Sequence, residues 1–253
     1  MSALILALVA GAVVGLALGA LGGGGSVLAV PALIYLLGFT PAAATTASLI
    51  IVTATSLAAL YAHARSGTVR WRAGVLFAAA GLLPAVVAGA GAARLPQPVL
   101  TVAFAVVAAL AAVRMLRPGR TDTGRTDTGR TAVRPVKAAG VGAGLGALTG
   151  LLGVGGGFLA VPALVAVLTF EMQAAVGTSL LVISANSLAS LATRGATTAG
   201  VDWAVIAPFT GAAILGAWDG KRLAAKVSGI LLRRAFAVML LAVAVFMLVD
   251  AVV

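Results

Sequence analysis

The chain has 253 residues, of which 62% are hydrophobic and 9% charged. Soluble domains run at about half apolar and about a quarter charged, so this chain carries more apolar surface than a soluble core of its size can hide, and a bilayer is the solvent that fits. With no Cys, disulfides, thiolate metal sites and cysteine nucleophiles are excluded. The net charge of +11 sits in short loops between apolar stretches, which is a topology signal rather than a nucleic-acid surface.

In chain order the apolar segments are Ala3–Leu21, Ser26–Leu37, Thr45–Ala62, Ala73–Ala93 and Pro98–Leu116, then Ala138–Leu152, Phe158–Leu168, Ala174–Thr193, Val201–Trp218 and Ile230–Val253. A helix needs about 20 residues to cross the hydrocarbon core. The last three segments of each series qualify. The second of each is too short and holds a proline, Pro31 or Pro162. It meets the first at a glycine cluster, so the two together read as a broken or re-entrant helix pair. Ala3–Leu21 has no Lys or Arg before it, unlike a signal peptide.

The series is double because the chain repeats itself. Leu21–Leu33 (LGGGGSVLAVPAL) and Leu152–Leu164 (LGVGGGFLAVPAL) agree at ten of thirteen positions. At the same offset Phe39 matches Phe170, Ser48-Leu49 match Ser179-Leu180, and Ser56-Leu57-Ala58 match Ser187-Leu188-Ala189. One residue of slippage later, Val69 and Trp71 match Val201 and Trp203. The expected division is membrane repeat one at 1–116, a flexible linker at 117–137 and membrane repeat two at 138–253. The linker contains RTDTGRTDTGRTAVRP and has no apolar face to bury.

Charge selects the topology. If each first pair enters and leaves on one side, or crosses twice, the halves are inverted and 15 of the 17 basic residues share a side, with only Arg94 and Arg194 opposite. The positive-inside rule prefers this arrangement. The fold expected is an all-α integral membrane protein of two inverted-topology repeats, each a broken or re-entrant helix pair at a Gly-rich motif followed by three transmembrane helices. Loop 117–137 is then cytoplasmic and both termini are outside. Inverted repeats with interrupted helices at matching places are a pointer to a binding site near the midplane of a secondary transporter.

The candidate substrate site is the pair of glycine clusters, Gly23, Gly24, Gly25 and Ser26 with Gly155, Gly156 and Gly157. Glycine lets backbone approach a ligand, and a helix starting after each cluster would aim free N–H groups at an anion. A hydroxyl strip follows in each half. It comprises Thr45, Thr46, Ser48, Thr53, Thr55 and Ser56, then Thr178, Ser179, Ser184, Asn186, Ser187 and Ser190. Thr178, Ser179 and Asn186 are the preferred ligands, with Thr45, Thr46 and Ser48 as first-half partners. The competing readings are tight helix packing for the glycines, and back-bonding or interhelical glue for the hydroxyls. The six acidic residues fall in loops or near segment ends, so no carboxylate pair, metal site or cofactor is expected. His63, the single histidine, lies near a segment end and reads as interfacial; it matches Arg194, and the two could gate opposite mouths of a pathway. An inside-negative voltage favours outward movement of an anion by about 2.3 kcal/mol per charge per 100 mV.

LLGVGGGFLAVPAL followed by AVGTSL (Ala175–Leu180), with a weaker N-terminal copy, resembles the sulfite exporter TauE/SafE family of membrane transporters. The resemblance covers nearly the whole chain. It implies a bacterial plasma-membrane exporter of sulfur-containing anions such as sulfite, thiosulfate or sulfoacetate, with the motif region at Gly155, Gly156, Gly157, Pro162, Gly177, Thr178 and Ser179. The first half departs from it, reading AATTASL (Ala43–Leu49) where the second has AVGTSL. The alternative is an anion channel or facilitator lined by the same groups. An intramembrane enzyme lacks a nucleophile–base set, and a scaffold or sensor would not need recurrent broken helices. The expected partners are the anion and the lipid bilayer; oligomeric state stays open, a homo-oligomer included.

Overall fold

The computed structural model describes residues 2–92, 97–116, 135–152, 157–194 and 202–252. Most of the expected linker lies outside them. All regular structure among the described residues is helical, as a chain that must satisfy its backbone in lipid requires.

Helix α1 (Ser2–Leu21) is unbroken and stops at Gly22, where φ is +69°. The Gly22 N–H donates to the Leu18 carbonyl at 2.8 Å, a C-terminal closure that favours glycine. Helix α2 (Gly24–Pro31) folds straight back, with Gly25 seated on Leu18 and the Val14 carbonyl. After Pro31, which has no N–H to give the ladder, the backbone widens into a π turn over Ala32–Leu36. The expected break therefore exists at Gly22–Gly23.

Helix α3 (Pro41–Arg65) starts with Thr40 as N-cap and Pro41 in its first turn, the residue order that suits a helix start. Helices α4 (Trp71–Ala92) and α5 (Gln97–Leu116) complete the first half. The second half holds α6 (Pro135–Leu152), α7 (Gly157–Ala166), α8 (Met172–Arg194), α9 (Trp203–Lys226) and α10 (Gly229–Val252). Five described stretches are long and apolar enough to cross a membrane: Ala3–Leu21, Ala43–Arg65, Trp71–Ala88, Met172–Ala192 and Gly229–Phe246. Leu83 and Val87 on α4, Leu215 on α9 and Val238 on α10 all face outward. So broad an apolar exterior suits lipid rather than water.

Glycine sets the packing. On α1, Gly11, Gly15 and Gly19 lie against the backbone of Phe209, Ala213 and Ala217 on α9, while Gly216 and Gly220 of α9 lie against Ala12 and Leu16. The two helices run in the same direction and nearly touch, the small-residue contact that drives association in lipid. The other half repeats it. Gly142 of α6 lies against Phe77 of α4, and Gly146 against Gly81. These contacts map onto each other by the sequence match, Gly11 onto Gly142 and Phe209 onto Phe77. Thus the first helix of each half packs along the fourth of the other.

Two apolar cores result. One gathers α1, α2, α3 and α9 with Leu180 and Ile183 of α8; the other gathers α4, α5, α7, α10 and the rest of α8. Helices α3 and α8 are the most enclosed of the five long apolar stretches, and they meet where the two cores adjoin.

Candidate substrate site

Position along the helix decides which hydroxyls of α3 and α8 are available. On each helix two hydroxyls stand three residues apart near the middle, Thr53 with Ser56 and Ser184 with Ser187, and so share a face. All four are buried. Ser184 Oγ donates to Ser56 Oγ at 2.9 Å, joining the halves. Ser184 Oγ also lies 2.8 Å from the Leu180 carbonyl, and Ser56 Oγ 3.2 Å from that of Thr53. The hydroxyls of Thr53 and Ser187 are buried and make no hydrogen bond. Thr55 is a third such hydroxyl. A buried group left unsatisfied costs about 1–3 kcal/mol, so three in one polar strip are a liability to folding.

The preferred residues of the sequence reading lie elsewhere. Thr178 is fully buried, and its Oγ accepts the Arg70 N–H at 3.1 Å, closing the start of α4. Ser179 donates to the Val176 carbonyl at 2.8 Å and presses on Gly22, where an added Cβ would lie 2.5 Å from Ser179 Oγ. Gly177 abuts Thr68. The Gly177-Thr178-Ser179 run is therefore a contact between halves, with Thr178 Oγ1 accepting and Ser179 Oγ donating within it. Ser48 donates to the Thr45 carbonyl at 2.9 Å and Ser26 to the Gly23 carbonyl at 2.7 Å. Thr45 and Thr46 have polar partners too. Asn186 lines, with Phe77, Gly81 and Gly146, a cavity of about 10 Å³, room for about one water.

Gly23, Gly24 and Gly25 sit off-centre. Their neighbour Gly22 is level with Ser179, seven residues into α8, or roughly 10 Å along it. The twenty unbroken residues of α1 carry the break past the middle. Gly155 and Gly156 lie outside the described residues, and Gly157 opens α7.

His63 is buried in the last turn of α3. Its Nε2 lies 3.2 Å from the Gly19 carbonyl and its Nδ1 3.1 Å from Thr68 Oγ1. Beside it Lys221 Nζ donates to the Ala62 carbonyl at 2.5 Å. The ends of α1, α3 and α9 and the start of α4 are thus tied together at the basic end of the molecule. The sequence hid this because the Gly19 carbonyl on α1 that pairs with His63 lies 44 positions away. Arg194 ends α8, with its side chain outside the described residues. Among the described residues no group of His, Asp and Glu could hold a metal.

The buried polar crossing of α3 and α8 lies inside an apolar exterior of the kind that suits a membrane. The model of the sulfite exporter TauE/SafE family matches residues 7–247. The chain belongs to the sulfite exporter TauE/SafE family. It is similar to a protein of Xylella fastidiosa (strain 9a5c) described as a probable membrane transporter protein, with 35% identity over 97% of this chain and 95% of the relative. A protein of the same description from strain Temecula1 / ATCC 700964 matches equally, at 35% identity over the same shares. No solved structure matches the chain. This TauE/SafE protein is thus a multi-pass membrane transporter.

Proposed function

We propose that the protein exports small sulfur-containing anions such as sulfite, thiosulfate or sulfoacetate across a bacterial plasma membrane, holding the anion near the midplane between two inverted repeats. The observation that carries this is the pair of buried, unpartnered hydroxyls of Thr53 and Ser187, near the middle of the α3–α8 crossing. Hydroxyls donate to an oxyanion without burying a second full charge, and a buried hydroxyl without a partner is one that a ligand can satisfy.

Helix directions support the inversion. α1 and α3 end together, as the His63–Gly19 contact requires. α4 turns back from α3, and α6 runs alongside α4 in the same direction. First helices α1 and α6 therefore point oppositely. The exchange of packing partners supports repeats at 1–116 and 138–253 about the linker. The basic residues put the His63 end, loop 117–137 included, in the cytoplasm and both termini outside. Inside-negative voltage then drives an anion outward.

Binding tests the site. In detergent, sulfite, thiosulfate or sulfoacetate is expected to raise the protein's unfolding temperature, with chloride and sulfate as comparators. Thr53→Val removes an unsatisfied hydroxyl, which stabilises the unliganded protein by up to about 1–3 kcal/mol, and it abolishes the ligand's effect. A sulfur oxyanion that stabilises Thr53→Val as much as the parent chain places the site elsewhere.

A further inference from the structure

We infer that the four mid-span hydroxyls form a two-position switch, in which the inner pair Ser56–Ser184 and the outer pair Thr53–Ser187 bond alternately as the protein changes the side on which it is open. This rests on the transport reading of the same site. The repeat match carries Ser56 onto Ser187 and Thr53 onto Ser184. Exchanging the halves therefore turns the inner pair into the outer pair. Here the inner pair is bonded at 2.9 Å, and the outer hydroxyls are buried with no partner.

The two halves share the pattern of these four hydroxyls, so each can offer the other's hydroxyl contacts. The exchanged arrangement has Thr53 bonded to Ser187 and leaves Ser56 and Ser184 free. Its helix-internal contacts carry over as well: Ser184 Oγ beside the Leu180 carbonyl becomes Thr53 Oγ1 beside the Leu49 carbonyl. Both partners exist in the chain, so nothing new need be built.

The rest of the structure agrees with the position of the bonded pair. Ser56 lies on the Arg65 side of Thr53, and Ser184 on the Met172 side of Ser187, so the bonded pair faces the basic end. That is the end tied by His63 to Gly19, Lys221 to Ala62 and Thr178 to Arg70. A closed inner pair accompanies a closed inner end. The anion is held by the outer hydroxyls Thr53 and Ser187 in this state, and by Ser56 and Ser184 in the exchanged one. Alternation makes each pair a latch when bonded and an anion donor when released, in keeping with states biased by differential contacts.

The test needs no substrate. Val69 is buried at the inner end, and the chain has no native Cys, so Val69→Cys reports inner opening by its rate of maleimide labelling in the full-length protein. Ser184→Ala removes the latch of the inner-closed state, and labelling is expected to rise about fivefold, the population shift that one net hydrogen bond supports. Ser187→Ala removes the latch of the opposite state, and labelling is expected to fall by a similar factor. A purely structural role loosens the protein in both variants. An increase in both, or no change in both, overturns the switch. Transport can fail while the opposite shifts stand, which would sink the substrate reading alone.

Discussion

Alanine at two glycines of one helix separates packing from propensity. Gly144 and Gly146 both lie in α6. Nothing lies within 4 Å of a Cβ added at Gly144, whereas one at Gly146 would sit 2.5 Å from the Gly81 Cα of α4. Ordinary carbon contacts are about 3.5–4.0 Å, so α4 and α6 must part by about 1 Å along a seam packed backbone to backbone. Both substitutions gain the same helix propensity, about 0.5–1 kcal/mol. The difference between them is then the packing cost, about 1–3 kcal/mol. Unfolding by titration with sodium dodecyl sulfate, followed by tryptophan fluorescence, reads it directly. Gly144→Ala is expected to match or exceed the parent chain, and Gly146→Ala to fall below Gly144→Ala by that amount. Equal stability of the two variants would refute the close α4–α6 approach, and with it the exchanged packing of the halves.

Thr169 holds φ +55° at the place where the first half has Gly38 at +70°, and both turns are closed by a phenylalanine N–H, Phe170 to Leu164 and Phe39 to Leu33. Thr169→Gly is expected to stabilise the protein by about 1 kcal/mol in the same titration, since the left-handed region costs a non-glycine residue about that much. Gly22→Ala is expected to destabilise through both its φ of +69° and its contact with Ser179 Oγ. Adding Ser179→Ala should recover the contact and leave the backbone strain, so full recovery would locate the whole cost in the clash. For orientation, a cysteine at the exposed Ser66 should react with an impermeant maleimide only from the cytoplasmic side, and one at the exposed Ala204 only from outside; the reverse pattern would invert the protein.

Much of the helix order was legible because lipid imposes a simple rule, one apolar run per helix. The segment Thr45–Ala62 became Pro41–Arg65, and Val201–Trp218 became Trp203–Lys226, the ends extending through polar residues that still pair their backbone. The break at Gly22 was legible from composition. The π turn after Pro31 was not, since a proline marks a lost donor without saying how the ladder closes. Packing across the halves was hidden, because the glycines that make it, Gly11, Gly15 and Gly19, do not name the helix they meet. The hydroxyl strip was visible as a strip, but the sequence does not say which of its hydroxyls find partners. Thr178 and Ser179 looked best because they adjoin the motif, yet their hydroxyls are engaged by Arg70 and Val176. Thr53 and Ser187 stand out only once it is known which hydroxyls lack partners. The burial of His63 was not legible because its covering residue, Gly19, is 44 positions away in sequence.

The central claim is that a sulfur oxyanion crosses the membrane through the hydroxyls between α3 and α8. Flux in proteoliposomes under an imposed voltage tests it most directly, comparing sulfite, thiosulfate and sulfoacetate with sulfate and chloride. Saturable, voltage-driven movement of at least one sulfur oxyanion, lost in Thr53→Val together with Ser187→Ala while the protein stays folded, is the result expected. Flux that survives that double substitution, or no flux of any of these anions beside a working control transporter, would contradict it.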